Sequence, residues 1–323
     1  MSNGRGFGDR SRIAERIQRD WGIELPDSIF RFWEFCAVVG PAEQQALADI
    51  SVGPAGILDL FADDLQPRAG LDVRLHGRFY RDPPEFLTFM YGNSDGLHYG
   101  LWTDDGRTCD AVASYYTHDG GGIDKRAETP LQTVRAILER CWTDVADDDQ
   151  EDMEVAAKLE QLGLLRRALA GYESEHRPEI GISYSHRYDF VRQAVDKNRV
   201  TTLDDAGALV SGATALDRPA HNAADEARFA TYMHSVFEDP VALESCAAEA
   251  RRRCAAGDPA EALVLGRDLH WASGDDPVRE ALAAELLGAA YLALDRLSLA
   301  ATAAAHHRHR HLSNVEILQR GSA

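Results

Sequence analysis

Histidines near the end of the chain are the side chains whose type and spacing most directly suggest metal chemistry. Residues 306–311 read HHRHRH. Imidazoles at i and i+4 on a helix, such as those of His307 and His311, can share one transition-metal ion. We find no cysteine or carboxylate close by in the sequence that would complete a set of ligands. We therefore interpret the segment, including His306 and His309, as a polar helix end whose cationic groups suit the helix dipole, and we predict no metal site.

Two other polar segments could bind an anion. The glycine-rich stretch from Asp119 to Gly122 could hold a phosphate, but no lysine follows it, so a flexible turn is the preferred interpretation. The basic run from Arg251 to Arg253 could meet an acidic partner or a phosphate, and solvation at a helix end explains it equally well. The sequence contains no P-loop, no G-x-G-x-x-G after a strand and no H-E-x-x-H. No motif here predicts autonomous catalysis.

Composition and charge exclude several classes of protein. The chain has 323 residues, of which 45% are hydrophobic, and it lacks any apolar run of about 18 residues that could cross a membrane. The formal net charge is −19, with 53 acidic against 34 basic residues, whereas proteins that bind nucleic acid directly usually have a basic surface. The first residues lack the apolar segment of a secretory signal, and the five scattered cysteines form no C-x-x-C. We therefore expect reduced thiols and a cytoplasmic protein that binds neither nucleic acid nor membrane.

The first half of the chain has the patterns of a sheet flanked by helices. Apolar spacing predicts a helix over 8–20 and a second one after Pro26, whose aromatic stripe around Phe32 and Trp33 is typical of a core. Residues 71–80 alternate apolar and polar side chains and predict a first strand. Further strands are predicted over 85–92, 97–107 and 111–122, separated by the turn signals Asp-Pro-Pro, Asn-Ser-Asp-Gly and Asp-Asp-Gly. Antiparallel strands with short turns between helices indicate an α+β layer.

The second half has the patterns of helices almost throughout. Composition shifts near an acidic stretch at 144–154, so we predict an α+β sheet domain over 1–148 and an all-α helical domain over 149–323. Asp239-Pro240 predicts a helix start, and Gly257 is a natural helix end. From about residue 257 onward, alanine and glycine recur at the spacing that is typical of helical hairpins. Fewer than two units are visible, so a helical interaction surface is favoured over a repeat array.

Four segments carry a resemblance to a known family. They are 25–36 (LPDSIFRFWEFC), 76–86 (HGRFYRDPPEF), 91–102 and 263–269 (LVLGRDL). The central R-F-Y-x-D-P-P-E-F pattern is far more specific than a lone glycine motif. The chain thereby resembles the histone PARylation factor family over roughly residues 10–315, with a poor match over about 150–210.

The resemblance implies an accessory factor for poly(ADP-ribose) polymerases. Such a factor docks on the polymerase beside its NAD site and supplies a carboxylate that completes a shared active site. ADP-ribose is thereby directed onto serine, notably on histones after DNA damage. A serine hydroxyl is a poor nucleophile near neutral pH, so the carboxylate acts as a general base that takes its proton. The resemblance therefore implies no cofactor for this chain itself, and NAD or ADP-ribose only through a partner.

The family's functional residues map only in part onto this chain. The family arginine stands shortly before the helix that here reads DEARFATYMHSVF, which places it at Arg218. Counted back without gaps from the Leu-x-Leu-Gly stretch, the family's third acid falls on Asp258 and its Asp-Glu pair falls on Ala255 and Ala256. A methyl group cannot accept a proton, so we predict no catalytic residue. Arg218 and Asp258 remain candidates for binding a partner or ADP-ribose.

Simpler roles for these two residues stay open. Arg218 and Asp258 could form only a surface ion pair, worth ~0–1 kcal/mol. Asp258 could also cap the helix that follows Pro259.

Three hypotheses follow for the function. Our prediction is a diverged, non-enzymatic member of the family that binds an ADP-ribosyltransferase or ADP-ribose without completing the active site. In the second hypothesis Asp258 takes over as the base. The third is an acidic α+β interaction module such as a toxin-immunity protein, which the segment LPDSIFRFWEF also resembles and in which the sheet would stand apart from the helical half.

Two further expectations concern activity and origin. We expect no NAD turnover by the isolated chain. The composition, rich in alanine, arginine, aspartate and glycine and poor in lysine, is typical of a high-GC bacterium. A role on histones is therefore not carried over.

Overall fold

The computed structural model describes most of the chain and has a mixed α+β architecture. The described residues are 10–62, 65–92, 94–118, 120–147, 153–175, 199–210 and 226–320. A five-stranded antiparallel sheet with flanking helices forms the first half, and the second half is mainly helical, so the predicted fold class is confirmed. No helix in these ranges is long and apolar enough to cross a bilayer.

Three helices precede the sheet. They are α1 Arg10–Trp21, α2 Asp27–Val38 and α3 Pro41–Asp49. Pro26 takes the N-cap position of α2 with φ −70°. Phe32 of α2 is fully buried, and its ring meets that of Phe89 at 5.6 Å between centroids. The aromatic stripe predicted from the sequence is therefore core, as expected.

The main sheet is built from consecutive hairpins. The strands of the first half are β1 Gly53–Pro54, β2 Leu65–Pro67, β3 Phe86–Tyr91, β4 Leu97–Trp102, β5 Ala111–Tyr116 and β6 Gly120–Ala127. The sheet order is β1-β3-β4-β5-β6, with every neighbouring pair antiparallel. All six residues of β4 are buried, so this sheet is covered on both faces where the halves of the molecule meet.

The strand predicted over 71–80 does not exist. Val73–Leu75 form a short 3-10 helix that begins where the Asp72 carboxylate accepts the backbone N–H of Arg74. The backbone amide of Gly77, at φ +69°, donates to Val315 near the end of the chain. The prediction of a strand was wrong because the buried side chains of this segment contact the protein on several sides and do not lie on one face of a sheet.

Two helices close the first half. They are α4 Pro130–Ala146 and α5 Met153–Glu175, and the first begins with a capping box between Thr129 and Gln132. Leucines 162, 165 and 169 of α5 are buried in the same core as α1, α2 and the sheet. Although α5 follows the predicted boundary at 148, it packs on the N-terminal core.

The described part of the second half is a stack of helices with three short strands. Its elements are β7 Arg199–Val200, β8 Ala208–Leu209, α6 Glu226–Glu238, α7 Pro240–Ala255, α8 Ala260–Ala272, α9 Pro277–Ala293, α10 Leu297–Arg308 and β9 Leu318–Arg320. The carboxylates of Asp239 and Asp276 cap α7 and α9. Helix α8 lies at the centre, with residues 260–270 all buried. A Cβ on Gly266 would lie 3.0 Å from Leu287, so glycine there allows α8 and α9 to pack closely.

The chain end returns to the first half. Strand β9 pairs antiparallel with β2, and Ile317 packs with Leu75 and Ala305. The toxin-immunity hypothesis required the sheet domain to stand apart from the helical half, and these contacts contradict that arrangement.

Candidate functional site

The R-F-Y-x-D-P-P-E-F segment, residues 78–86, forms a buried polar junction between the two halves. The Asp82 carboxylate accepts hydrogen bonds from the Tyr115 hydroxyl at 2.5 Å and from the backbone N–H of Phe79 at 2.8 Å. Nε2 of His98 lies 2.8 Å from the same carboxylate. The Asp82 carbonyl accepts Nε2–H of His270 on α8 at 3.0 Å. These contacts fix the Asp-Pro-Pro turn against both β4 and α8.

A second set of charges at this junction is centred on Arg267. Its guanidinium lies 3.0 Å from the Glu85 carboxylate and donates through Nε to Asp204 at 2.8 Å. Tyr291 on α9 donates to Glu85 at 2.9 Å. Burial opposes the charge of the guanidinium, but the carboxylates of Asp204 and Glu85 outweigh it and raise the pKa of Arg267. Together with the preceding contacts, these ion pairs form what we call the junction: Asp82, Glu85, His98, Tyr115, Asp204, Arg267, His270 and Tyr291.

A cleft opens beside the junction, between the sheet and the helical half. Its volume is about 400 Å³. The lining residues are Arg81, Gly121, Gly122, Leu203, Asp205, Ala230, His234, Trp271, Ala272 and Gly274. The Arg81 guanidinium lies 5.5 Å from the centroid of the Trp271 ring. Among the described residues the Arg81 side chain has this ring contact and neither a hydrogen bond nor an ion pair, so an anion in the cleft could accept from its donors.

Two glycines in a hairpin and a tryptophan at a helix end shape the cleft. Gly121 and Gly122 belong to the β5–β6 hairpin, and a Cβ on Gly122 would overlap the side chain of Asp205. Trp271 is at the end of α8, where its ring packs on Tyr115 at 5.2 Å between centroids. A guanidinium over an indole, next to an open glycine hairpin, suits a ligand with a negative group and a flat ring.

The structure places Asp258 at the other end of α8. One Asp258 carboxylate oxygen accepts the backbone N–H of Ala260 at 3.4 Å, and the N-cap of α8 is Pro259. With a rise of 1.5 Å per residue, Asp258 and Trp271 are roughly 20 Å apart along the helix axis. Asp258 is half-buried. Its long capping contact leaves both the capping and the binding hypotheses in place.

The neighbours of Asp258 form the α7–α8 turn, residues 255–258. Gly257 has φ +89°, and its N–H and that of Asp258 close the end of α7 on the carbonyls of Cys254 and Arg253. Ala255 and Ala256 are exposed at this turn. The two positions at which the sequence analysis placed the family's acid pair therefore face solvent with methyl groups. Arg218 lies outside the described residues, so whether it approaches Asp258 stays a prediction.

The other polar groups singled out in the sequence have separate environments. Arg251 pairs with Glu285 and Glu244, and Arg252 pairs with Glu249. Ion pairs within the protein thus account for this basic run, without an external phosphate. Asp119 lies outside the described residues.

The histidines of residues 306–311 lie in different environments. His306 is buried in α10, while His307 is exposed. Helix α10 ends at Arg308, so His307 and His311 are not neighbours on a helix face.

Sequence reasoning missed the cleft and the central ion pairs. Arg81 was present in the motif without an assigned role, and Trp271 was only one more aromatic residue near a helix end. Arg267 lies in the segment LVLGRDL, which looks like an ordinary amphipathic helix. No local signal indicated its partners, because Glu85 and Asp204 are distant in the chain.

Comparisons with known proteins agree with the resemblance seen in the sequence. Residues 12–171 match the family model described as Histone PARylation factor 1. Residues 12–171 thus belong to the histone PARylation factor 1 family.

Three curated relatives carry the same name. The chain is 31% identical to Histone PARylation factor 1 of Mus musculus over 100 residues, which are 29% of this chain and 29% of the relative. It is 32% identical to the Bos taurus protein over 98 residues, 28% of each chain. It is 33% identical to the Danio rerio protein over 92 residues, 27% of this chain and 26% of the relative. The aligned part thus spans under a third of these relatives.

Proposed function

We propose that this protein is an accessory factor that binds an ADP-ribosyltransferase and does not itself complete the active site. The family match over residues 12–171 is the observation that carries this proposal. NAD enters only through the partner enzyme, and the isolated chain turns over none.

The α7–α8 turn supports the second part of the proposal. A general base must hold a lone pair within hydrogen-bond reach of the serine hydroxyl. Ala255 and Ala256 offer only methyl groups at this exposed turn. Asp258 is the remaining acid of the turn, and its carboxylate already contacts the N-terminus of α8 through Ala260. A partner that docks on this turn would therefore meet no carboxylate at positions 255 and 256.

The experiment that tests this restores the missing acid. Purified wild-type protein and the variant Ala256→Glu are incubated with an ADP-ribosyltransferase from the native host, NAD and a serine-containing peptide. We expect both proteins to bind the enzyme and only Ala256→Glu to increase modification of serine. The matched control is Ala255→Glu, which adds the same charge one residue away. Absence of binding by the wild-type chain would contradict the partner role, and strong serine modification with wild type would contradict the missing base.

The cleft favours a second candidate, the binding of ADP-ribose itself. Arg81, with no ion pair among the described residues, could bind the diphosphate, while the Trp271 ring offers a surface for adenine. Titration calorimetry with ADP-ribose should show binding that Arg81→Ala and Trp271→Ala each weaken at least tenfold. Arg252→Ala, an exposed cation far along the chain, is the control. Equal affinity of all four proteins would exclude the cleft as the site.

A further inference from the structure

The fold brings one histidine of the 306–311 segment to two carboxylates. Among the described residues, Asp275, Glu280 and His311 each offer a ligand atom, and these atoms lie within 4.8 Å of one another. Nε2 of His311 is 3.0 Å from the Glu280 carboxylate, and its Nδ1 is 4.0 Å from that of Asp275. The carboxylates that the sequence near His311 lacks are thus supplied by the loop before α9 and by its first turn.

The three side chains are arranged as an open site. The Glu280 side chain is 6% exposed, whereas those of Asp275 and His311 are 78% and 58% exposed. Ligand atoms of a tetrahedral zinc ion with bonds of about 2.0 Å lie roughly 3.3 Å apart. The separation of Glu280 and His311 already matches this value. His311 binds an ion through one ring nitrogen, and one Asp275 oxygen lies within 4.8 Å of the ligand atoms of His311 and Glu280. Rotation of the exposed Asp275 side chain closes this gap, and the solvent side leaves room for water ligands.

Tyr80 of the junction segment positions the site from behind. Its hydroxyl donates to the other Glu280 oxygen at 2.6 Å and accepts the backbone N–H of Asp275 at 3.0 Å. Its ring lies 5.4 Å from that of His311. Such outer contacts orient metal ligands and restrict their rotation. The buried carboxylate therefore presents one oxygen to His311 and keeps the other for the protein.

The local charge also suits a cation. Two carboxylates face the site, and the nearby cation is Arg310, whose guanidinium is buried over the Tyr80 ring at 4.0 Å from its centroid. Arg310 is held by the carbonyls of Tyr80 and His270. The cluster therefore keeps an excess of negative charge that a divalent ion would neutralise.

We propose that Asp275, Glu280 and His311 form a binding site for a divalent transition-metal ion of the zinc type. An imidazole with two carboxylates suits Zn²⁺ better than Mg²⁺ or Ca²⁺, which prefer oxygen ligands alone. The ion would join the segment after α10 to the loop between α8 and α9. This proposal of a metal site does not depend on the proposed binding of a partner.

The test titrates Zn²⁺ into the full chain, purified without a histidine tag, and follows heat and the thermal midpoint of unfolding. Co²⁺ in parallel reports the ligand geometry through its visible absorption. Asp275→Asn and His311→Ala change exposed side chains that should not affect folding. His307→Ala is the matched control, because His307 belongs to the same segment and lies outside the cluster.

We expect wild type and His307→Ala to bind one equivalent of Zn²⁺. His311→Ala and Asp275→Asn should each bind at least tenfold more weakly and lose the Co²⁺ absorption. The proposal is overturned if wild type binds no Zn²⁺, or if His311→Ala binds as tightly as wild type. It is also overturned if only the histidine variants matter and Asp275→Asn and Glu280→Gln leave affinity unchanged, because the ion would then be held by the histidine segment alone.

Discussion

The junction and the α7–α8 turn have opposite physical characters. At the junction, Asp82, Asp204 and Arg267 are at most 1% exposed and every one of them is paired. At the turn, Ala255 and Ala256 are exposed and carry no polar side-chain atom. The most recognisable segment of the sequence is therefore mainly structural, because it joins the sheet to α8 and α9.

The difference concerns how easily a charged side chain can be replaced in each region. Each buried charge at the junction depends on partners from another part of the chain, so replacing one leaves others unpaired at a cost of several kcal/mol. An exposed turn carries no such penalty, and a carboxylate there can be exchanged for a methyl group at little cost in stability. We therefore expect stability to depend on the junction and partner chemistry to depend on the turn.

The largest effect is expected from Arg267→Met at the junction. The change leaves the carboxylates of Glu85 and Asp204 buried without their cation. We expect the free energy of unfolding in urea to fall by about 3–5 kcal/mol. Arg252→Ala is the control, because its ion pair with Glu249 is exposed and should contribute at most about 1 kcal/mol. If both variants lost a similar amount of unfolding free energy, the junction would not be the main electrostatic contribution to stability.

The next largest effect is expected from acid, through two buried histidines on α8 and α10. Burial, followed by the positive charge of Arg310, lowers the pKa of His270 well below its ordinary value, and burial with the charge of Arg78 does the same for His306. Below about pH 6.5 the two histidines bind protons in the unfolded chain but stay neutral in the folded protein. The free energy of unfolding therefore falls as pH decreases, by up to about 1.4 kcal/mol per pH unit for each ring.

Urea unfolding at pH 7.5 and pH 5.5 measures this dependence. Neither ring nitrogen of His306 has a hydrogen-bond partner in the described part of the chain, so His306→Leu removes one titrating ring without breaking a hydrogen bond. We expect this variant to lose less stability on acidification than wild type, while the exposed control His307→Ala behaves as wild type. An unchanged slope in His306→Leu would contradict the assignment.

A smaller effect is expected from Asp258→Ala at the turn. Its contact with the N–H of Ala260 is 3.4 Å long, whereas Asp276 accepts from Val278 at 2.8 Å. Loss of an N-cap costs about 0.5–2 kcal/mol. We expect Asp258→Ala at the low end of this range and Asp276→Ala nearer its middle, both measured in urea. If Asp258→Ala proves the more destabilising, capping is its main role and its availability to a partner is reduced.

The smallest effect on stability is expected from Ala256→Glu. The side chain is exposed at the C-cap of α7, so the unfolding free energy should change by less than about 0.5 kcal/mol. Unfolding in urea before the activity assay checks this. A large loss would mean that the turn packs against the protein, and any functional effect of the variant would then need another explanation.

Local patterns predicted the elements well where one physical rule acted alone. Asp239-Pro240 and Gly257 bound α7 as expected, because capping and positive φ depend on a few adjacent residues. The aromatic face of α2 was equally evident from its spacing. The pattern at 71–80 failed because an alternation of two also arises when a turn segment is buried irregularly among helices.

The sequence by itself determined the fold class, the helix starts and the family likeness, since these rest on contacts between near neighbours or on residue types read in order. Only the tertiary structure decided that Arg81 lies over Trp271, that Arg267 joins Glu85 to Asp204, and that His311 meets Asp275 and Glu280. Partners that are separated by tens to hundreds of residues produce no periodic pattern in the sequence. They meet only when long loops close, and that closing depends on the summed packing of the whole core.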